Sequence, residues 1–481
     1  MVTNPLEQIL HPQSIAVIGA SGTPTRSGYT FTAPLLRYGY QGKVYPVNPK
    51  YSEILGIKAY ASLREIPGPV DYVISCVPAP AVLDMLEDCS QKGVKAVHLF
   101  TARFSETGRQ EATELERKIL KQARKWGIRL IGPNCMGVYY PRQGISFSED
   151  FPKEPGLVGL AFQSGQGLAE FIRTAPLRGV RFSKAISYGN ALDFNECDFL
   201  DYFSQDPETK IILMYVEGVR DGQRFLNSLR RAASTKPVIV IKGGRGNSGA
   251  KATASHTASI AGSMKTWETV IAQAGAISAR NFDEMLDLAV AFYFLPVIRG
   301  SRVGVIGGSG GNGVLCADEC EEAGLDVIPL PPDIREELRS EASPIWDWIG
   351  NPTDMSILDG FEFTGIDMLQ MMARNDNFDL LITNVSEGPS FRKEERILKL
   401  KDELNGYTKI KKESLKPLIV VVKENSSDLD DHDYWRWKVL NEVRTKVLAA
   451  NIPFYPTIGR AAKAARKLID YYQNSDENSH G

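Results

Sequence analysis

Short, wholly apolar runs alternate along the chain with longer stretches whose apolar residues recur at helical spacing. Ser14-Ile-Ala-Val-Ile18, Val44-Tyr-Pro-Val-Asn48, Asp71-Tyr-Val-Ile-Ser-Cys-Val77, Ala96-Val-His-Leu-Phe100 and Arg129-Leu-Ile131 form a first set. Leu157-Val-Gly-Leu-Ala-Phe162, Ile211-Ile-Leu-Met-Tyr-Val216 and Pro237-Val-Ile-Val-Ile241 form a second. A third begins at Arg302-Val-Gly-Val-Ile306 and continues near Val327, at Leu380-Leu-Ile382, Leu418-Ile-Val-Val-Val422 and Pro453-Phe-Tyr455. Runs without polar alternation are strands covered on both faces, and helical patterns between them supply the cover. The expected class is α/β, with doubly wound parallel sheets. Three domains follow, at 1–145, 146–298 and 299–475, with a polar tail at 476–481 read as disordered.

Composition narrows the function classes. With 43% hydrophobic and 24% charged residues and a net charge of −2, the chain has no basic excess for nucleic acid. No apolar run reaches membrane-spanning length, and no charged start precedes an apolar segment, so a cytoplasmic protein is expected. The cysteines at 76, 89, 135, 197, 316 and 320 include no Cys-x-x-Cys pair and no ligand spacing with histidine. Reduced thiols are therefore expected, no metal site is predicted, and Cys316 and Cys320 read as core.

Several turns follow the apolar runs. Gly19-Ala-Ser21-Gly22 is a Gly-x-x-Gly turn without the full dinucleotide fingerprint. The second strand ends in Pro46-Val47-Asn48-Pro49, where an NAD site needs an acid, and Lys43 and Lys50 flank it. Cations there suit a phosphorylated ribose, as in NADP or coenzyme A; plain surface lysines are the alternative. Val77-Pro78-Ala-Pro80 ends the third strand with a rigid apolar wall. Farther on, Gln163-Ser164-Gly165 opens a helix whose N-terminus can seat an anion, although a plain N-cap accounts for Ser164 equally well. Glu217 closes an apolar strand, as either an imidazole-orienting group or an exposed loop carboxylate. After the strand ending at Ile241 comes Lys242-Gly-Gly-Arg245-Gly-Asn-Ser-Gly-Ala-Lys251-Ala-Thr-Ala-Ser-His256. Four glycines between 243 and 249 free that loop to move or cradle an anion, and they place His256 to be reached. An idle, solvated histidine on a basic loop is the competing reading.

Taken in order and spacing, Gly19 to Gly22, Val44 to Pro49, Val77 to Pro80 and Ile131-Gly-Pro-Asn134-Cys-Met-Gly137 resemble the CoA-binding domain of the NDP-forming acyl-CoA synthetases. Phe162-Gln-Ser-Gly165, Val216-Glu-Gly218 and Ala254-Ser-His-Thr257 resemble the same superfamily's ligase domain. The resemblance, spanning residues 5 to about 470, implies a Rossmann-like CoA-binding domain followed by two flavodoxin-like domains of succinyl-CoA-synthetase type. It implies His256 as phosphoryl carrier, Glu217 as its orienting base, and Ser164 with Gly165 as the phosphate seat. Gly19, Ser21 and Gly22 would meet the CoA phosphates, and Lys43, Pro46, Val47, Asn48, Lys50, Val77, Pro78 and Asn134 would complete the coenzyme site. Gly350-Asn-Pro-Thr-Asp-Met355 matches a family turn that serves scaffold and subunit contacts, and the glycine turn at 307–311 reads as structural.

Two places depart from the pattern. A small Ser-Ala-Gly-Phe-like turn is replaced by Thr101-Ala-Arg103-Phe104, which puts Arg103 at the acyl or thioester end of the implied pocket. Ala258 replaces a glycine after the histidine, stiffening the loop without removing a chemical group. No ATP-grasp module and no Gly-Lys-[Ser/Thr] loop is present in these residues. The resemblance therefore implies an α subunit paired with an ATP-grasp β subunit, as α2β2. Its substrates would be a small carboxylic acid, CoA and phosphate, with Mg2+ and ATP or ADP held chiefly by the partner. A CoA-binding sensor, a CoA-dependent lyase on the same scaffold and a nicotinamide-dependent oxidoreductase stand as alternatives.

Overall fold

The computed structural model describes residues 5–246, 248–249, 263–308, 310–342, 344–358, 360–385, 393–413, 416–422 and 435–479. The chain divides into two compact units, Met1–Met285 and Leu286–Gly481.

The first sheet is fully parallel. Its strands, Ser14–Ile18, Lys43–Val47, Tyr72–Ser75, Ala96–Leu99 and Arg129–Ile131, lie in the order second, first, third, fourth, fifth. The strand order reverses between the first and third strands, which opens a crevice at their carboxyl ends. Pro46 sits in the edge strand, where a missing N–H costs no ladder bond.

The second sheet repeats this plan with an addition. Strands Val158–Phe162, Phe182–Ser187, Ile211–Val216, Val238–Lys242 and Ile277–Ala279 run parallel in a flavodoxin-like order whose switch point lies between the first and third of them. Gly137–Tyr139 pairs antiparallel with Phe182–Ser187 and forms the edge. This strand lies before residue 145, so the second sheet begins earlier than the apolar pattern indicated. A further link joins the two sheets. The N–H groups of Asn190, Leu192 and Phe194 donate to the carbonyls of Pro133, Gly132 and Leu130 at 3.0, 3.0 and 3.1 Å. Asp193 in the same segment accepts from Arg129 Nε at 2.6 Å and Leu130 N at 3.0 Å.

In the second unit, strands Val303–Ile306, Leu380–Asn384, Leu418–Val421 and Phe454–Tyr455 stand in sequence order, all parallel. The strand expected near Val327 is reduced to an isolated bridge between Arg302 and Asp326. Pro329, Pro331 and Pro332 follow at once, and none can donate to a ladder. Asn351 fills the gap: its Oδ1 accepts from Val305 N at 2.8 Å, and its Nδ2 donates to Val303 O at 2.9 Å and Ile328 O at 2.8 Å. The Gly350–Met355 turn is thus a clamp on the sheet edge. The last helix, Ile458–Ser479, runs past residue 475, so the segment expected to be disordered is helical as far as Ser479. Gln473 Nε2 donates to Arg299 O at 2.7 Å, which ties this end down. Five cysteines are buried, Cys76 is half-buried, and all are free thiols.

Candidate functional site

At the carboxyl edge of the first sheet, Gly19 takes a φ of +84° and its N–H donates to Val47 O at 2.9 Å. Asn48 clips the turn to the neighbouring strand: its Nδ2 donates to Ala20 O at 2.8 Å and its Oδ1 accepts from Lys50 N at 3.0 Å. Ser21 is buried and its hydroxyl accepts from Thr23 N at 3.0 Å. Gly22 faces open space; a Cβ there would come no closer than 4.0 Å to Leu55. Pro46 and Val47 are buried beneath, Val77 is half-buried, and Pro78 is exposed across the crevice. Lys50 is exposed at the same edge. Lys43 is not brought to it. It opens its strand, paired with Ser14, whereas the turn follows the strand's other end. At ~3.3 Å per residue it lies about 13 Å from the crevice. The correction follows from parallel geometry, in which residues before and after a strand face opposite edges.

Asn134, at φ +58°, carries the chain toward the second sheet. Its N–H donates to Thr101 O at 2.9 Å, and its Nδ2 to Asn190 Oδ1 at 3.4 Å. Two residues on, Met136 N donates to Ser187 Oγ at 3.1 Å, and a Cβ on Gly165 would lie 2.8 Å from Met136 Cγ. The carboxyl edge of the first sheet therefore runs directly into the Ser164–Gly165 helix start.

Ser164 is the N-cap of helix Gly165–Thr174, its hydroxyl accepting from Gly167 N at 3.1 Å. The cap occupies one donor and leaves Gly165 and Gln166 N–H groups without intrahelical partners. Across the switch point lies Glu217. It is buried, not the exposed carboxylate of the alternative reading, and its N–H and that of Gly218 donate to Gln163 Oε1. Tyr215 bonds the Glu217 carboxylate, and burial first, then that negative charge, pushes the phenol up to about 12. The strand bearing the glycine-rich loop ends beside it: Lys242 Nζ donates to Glu217 O and Gly243 O, both at 2.5 Å. Burial lowers the Lys242 pKa, and the Glu217 charge opposes that shift. A Cβ on Gly243 would lie 2.7 Å from Tyr215 Oη and 3.1 Å from Glu217 Cγ, so the loop leaves the sheet laid directly over the acid. His256 and Lys251 lie outside the described residues.

Family models match this layout in chain order: a CoA binding domain over residues 13–141, a succinyl-CoA ligase like flavodoxin domain over 155–292, and a Ligase-CoA domain over 303–363. The α subunit of an ADP-forming acetate–CoA ligase II from Pyrococcus furiosus is 41% identical over 350 residues, covering 73% of this chain and 76% of that one. The chain belongs to the ADP-forming acyl-CoA synthetases. Among solved structures, this chain resembles the dinucleotide forming acetyl-coenzyme A synthetase 1 of Ca. Korarchaeum cryptofilum in complex with phosphate and ADP. That match has a TM-score of 0.82 and 30% identity, and covers 98% of both chains. A longer relative, the ADP-forming acetate–CoA ligase of Methanocaldococcus jannaschii, is 39% identical over 73% of this chain, which spans about half its length at 49%.

Four residues take roles at this candidate site that sequence reasoning did not assign to them. A Cβ on Gly28 would fall 2.0 Å from Gly19 O, so helix Ser27–Arg37 rests against the turn only because residue 28 has no side chain. Its spacing from Gly19 hides it from the usual fingerprint. Gln163 bridges the switch point, and Lys242 anchors the loop root. Asn190 links Asn134, Glu106 and Arg220, its O accepting from Arg220 at 2.9 Å. Gln163 and Lys242 stand at strand ends in the sequence, but what each one bridges comes from a neighbouring strand; the contacts of Gly28 and Asn190 likewise come from segments distant along the chain. Among the described residues, no group of three or more His, Cys, Asp or Glu side chains is placed to hold a metal ion, and no helix is long and apolar enough to cross a membrane.

Proposed function

We propose that this chain works as the α subunit of a synthetase that interconverts acid, CoA and NTP with acyl-CoA, NDP and phosphate, through an acyl phosphate and a phosphohistidine at His256. The observation that carries the reading is the root of the glycine-rich loop, packed on buried Glu217 at a switch point beside the Ser164-capped helix. The coenzyme would lie along the first sheet's edge, its phosphates at Gly19 to Gly22 and near Lys50, its pantetheine between Val77 and Asn134. Phosphate would sit on the Gly165 and Gln166 N–H groups, where the helix N-terminus favours an anion.

A phosphate oxygen attacks the thioester carbonyl, the C–S bond breaks, and CoA leaves as the thiolate. A neutral His256 nitrogen then attacks phosphorus, forming the N–P bond, and the P–O bond to the acyl oxygen breaks to release the carboxylate. Glu217 accepts a hydrogen bond from the other ring nitrogen and favours the cation formed in the step. The phosphoryl group passes last to an NDP oxygen, regenerating the imidazole.

The curated relatives include separate α subunits, which supports a partner subunit for this chain. We assign that partner to the ATP-grasp class, in an α2β2 assembly that holds Mg2+ with the nucleotide, working in the cytoplasm. Incubating the co-expressed complex with γ-labelled ATP tests the proposal. Acid-labile, base-stable label that His256→Ala abolishes supports it; CoA binding without label, in wild type, replaces it with a sensor.

A further inference from the structure

Arg103 holds a backbone conformation that arginine disfavours. Its φ is +79°, in the left-handed region, where a Cβ crowds the following carbonyl and glycine is favoured. The surrounding loop over-determines it. The N–H groups of Arg103 and Phe104 both donate to the Glu106 carboxylate, the second at 3.0 Å, and Asn190 Nδ2 grips that carboxylate at 2.7 Å. Phe104 is fully buried, and Thr101 Oγ1 donates to Val77 O at 2.6 Å. The Arg103 side chain is exposed, and no ion pair or hydrogen bond engages its guanidinium among the described residues. Glu106, the nearest acid in sequence, is occupied with main-chain and amide donors.

Strand order fixes what this cation can meet. Arg103 follows the fourth strand, two places from the first strand and its Gly19 turn and next to the fifth. Two strand spacings put its loop roughly 10 Å from the turn. The fifth strand leads through Asn134 and Met136 to the Gly165 helix start. The loop bearing Arg103 thus lies toward the Asn134 end of the crevice, where the acyl chain would lie in the coenzyme reading above, away from the turn assigned to the phosphates.

We propose that Arg103 is a specificity residue that pairs with a second anionic group, carboxylate or sulfonate, on the acyl chain, so that dianionic acids are preferred over monocarboxylates. The inference rests on the coenzyme reading above. A guanidinium presents paired donors that match such a group, and a charge-assisted pair of this kind is worth about tenfold or more in affinity.

Isothermal titration of the full chain with free CoA and five thioesters tests it: butyryl-CoA and pentanoyl-CoA against succinyl-CoA, glutaryl-CoA and 3-sulfopropanoyl-CoA. Wild type should bind at least one dianionic thioester about tenfold or more tighter than its neutral counterpart. Arg103→Gly and Arg103→Ala should bring that ratio to within about twofold, and Arg103→Lys should keep part of it. The glycine variant also relieves the backbone, so its melting temperature should not fall. Equal binding of all five thioesters by wild type, or a preference that survives Arg103→Gly, overturns the inference. So does a loss of equal proportion for every thioester, which would assign the cation to the coenzyme itself. Failure of wild type to bind free CoA overturns the coenzyme reading instead, and is told apart by its spread across all six ligands.

Discussion

Replacing Gly28 by alanine tests both the packing of the Gly19–Gly22 turn and the coenzyme role proposed for it. The added methyl would meet Gly19 O at 2.0 Å and Ala20 Cα at 2.8 Å. Both are main-chain atoms, with no rotamer to yield. Relief to ordinary contact, about 3.2 Å, needs helix Ser27–Arg37 and the turn to part by roughly 1 Å, against the pull of buried Phe31 and Leu35. Overpacking of this kind costs about 1–3 kcal/mol, and the helical preference of alanine over glycine returns at most ~1 kcal/mol. A net loss of about 2 kcal/mol should lower the melting transition of the first unit by roughly 4–8 °C. Displaced donors should also weaken CoA binding about tenfold or more, read by titration calorimetry. Gly22→Ala is the matched control for stability, because its Cβ has room. It should melt like wild type, and any fall in its CoA affinity reports a phosphate close to that backbone. A Gly28→Ala protein with unchanged melting and unchanged CoA affinity would refute both the steric argument and the assignment of the turn.

Three other expectations concern buried charge. Lys242→Met strands the carbonyls of Glu217 and Gly243, so the first unit should lose about 1–3 kcal/mol and phosphohistidine labelling should slow about tenfold in quenched-flow measurement. Lys184 is buried and donates to Asp206 at 2.9 Å and Glu208 at 2.8 Å. Lys184→Met should cost about 3–5 kcal/mol in chemical denaturation, and adding Asp206→Asn should recover part of it. Burial pushes the Glu196 carboxyl up to about 7 and the His98 imidazole down to about 4, the latter countered by its bond to Cys135 O at 2.9 Å. The folded state therefore favours protonated Glu196, whose contribution is lost as pH rises from about 4.5 to 7, and neutral His98, whose contribution is lost as pH falls from about 6.5 to 4. The slopes oppose each other at roughly 1.4 kcal/mol per pH unit each. Glu196→Gln should unmask a stability that climbs with pH between about 4.5 and 6.5; a flat profile in that variant would refute the assignment.

The apolar runs made most strands legible, because a buried parallel strand has no polar face to confuse the pattern. What they could not convey was anything set by a neighbour in space. Gly137–Tyr139 opens on glycine and pairs with Phe182–Ser187, which offers it an edge. The bridge at Asp326 fell short of a strand because its continuation is proline. Lys43 was set beside Lys50 at one strand end, although it opens the strand that Lys50 follows. Chemistry-bearing residues on strand ends, Glu217 and Ser164 among them, were visible because polar groups closing apolar runs stand out. Lys242 also closes one, yet its role depends on two carbonyls contributed partly by another strand.

The hydrogen-bonded seam from 190–194 to 130–133 sets a limit on how this chain can be cut or shuffled. Excising the coenzyme half near residue 145 would strip the last strand of its outer partners and leave Arg129 facing solvent without Asp193. A fragment so made should aggregate or bind CoA poorly, whereas one carried through to residue 285 keeps the seam closed. Recombination between relatives would on the same grounds succeed only where both sides of that seam are inherited together.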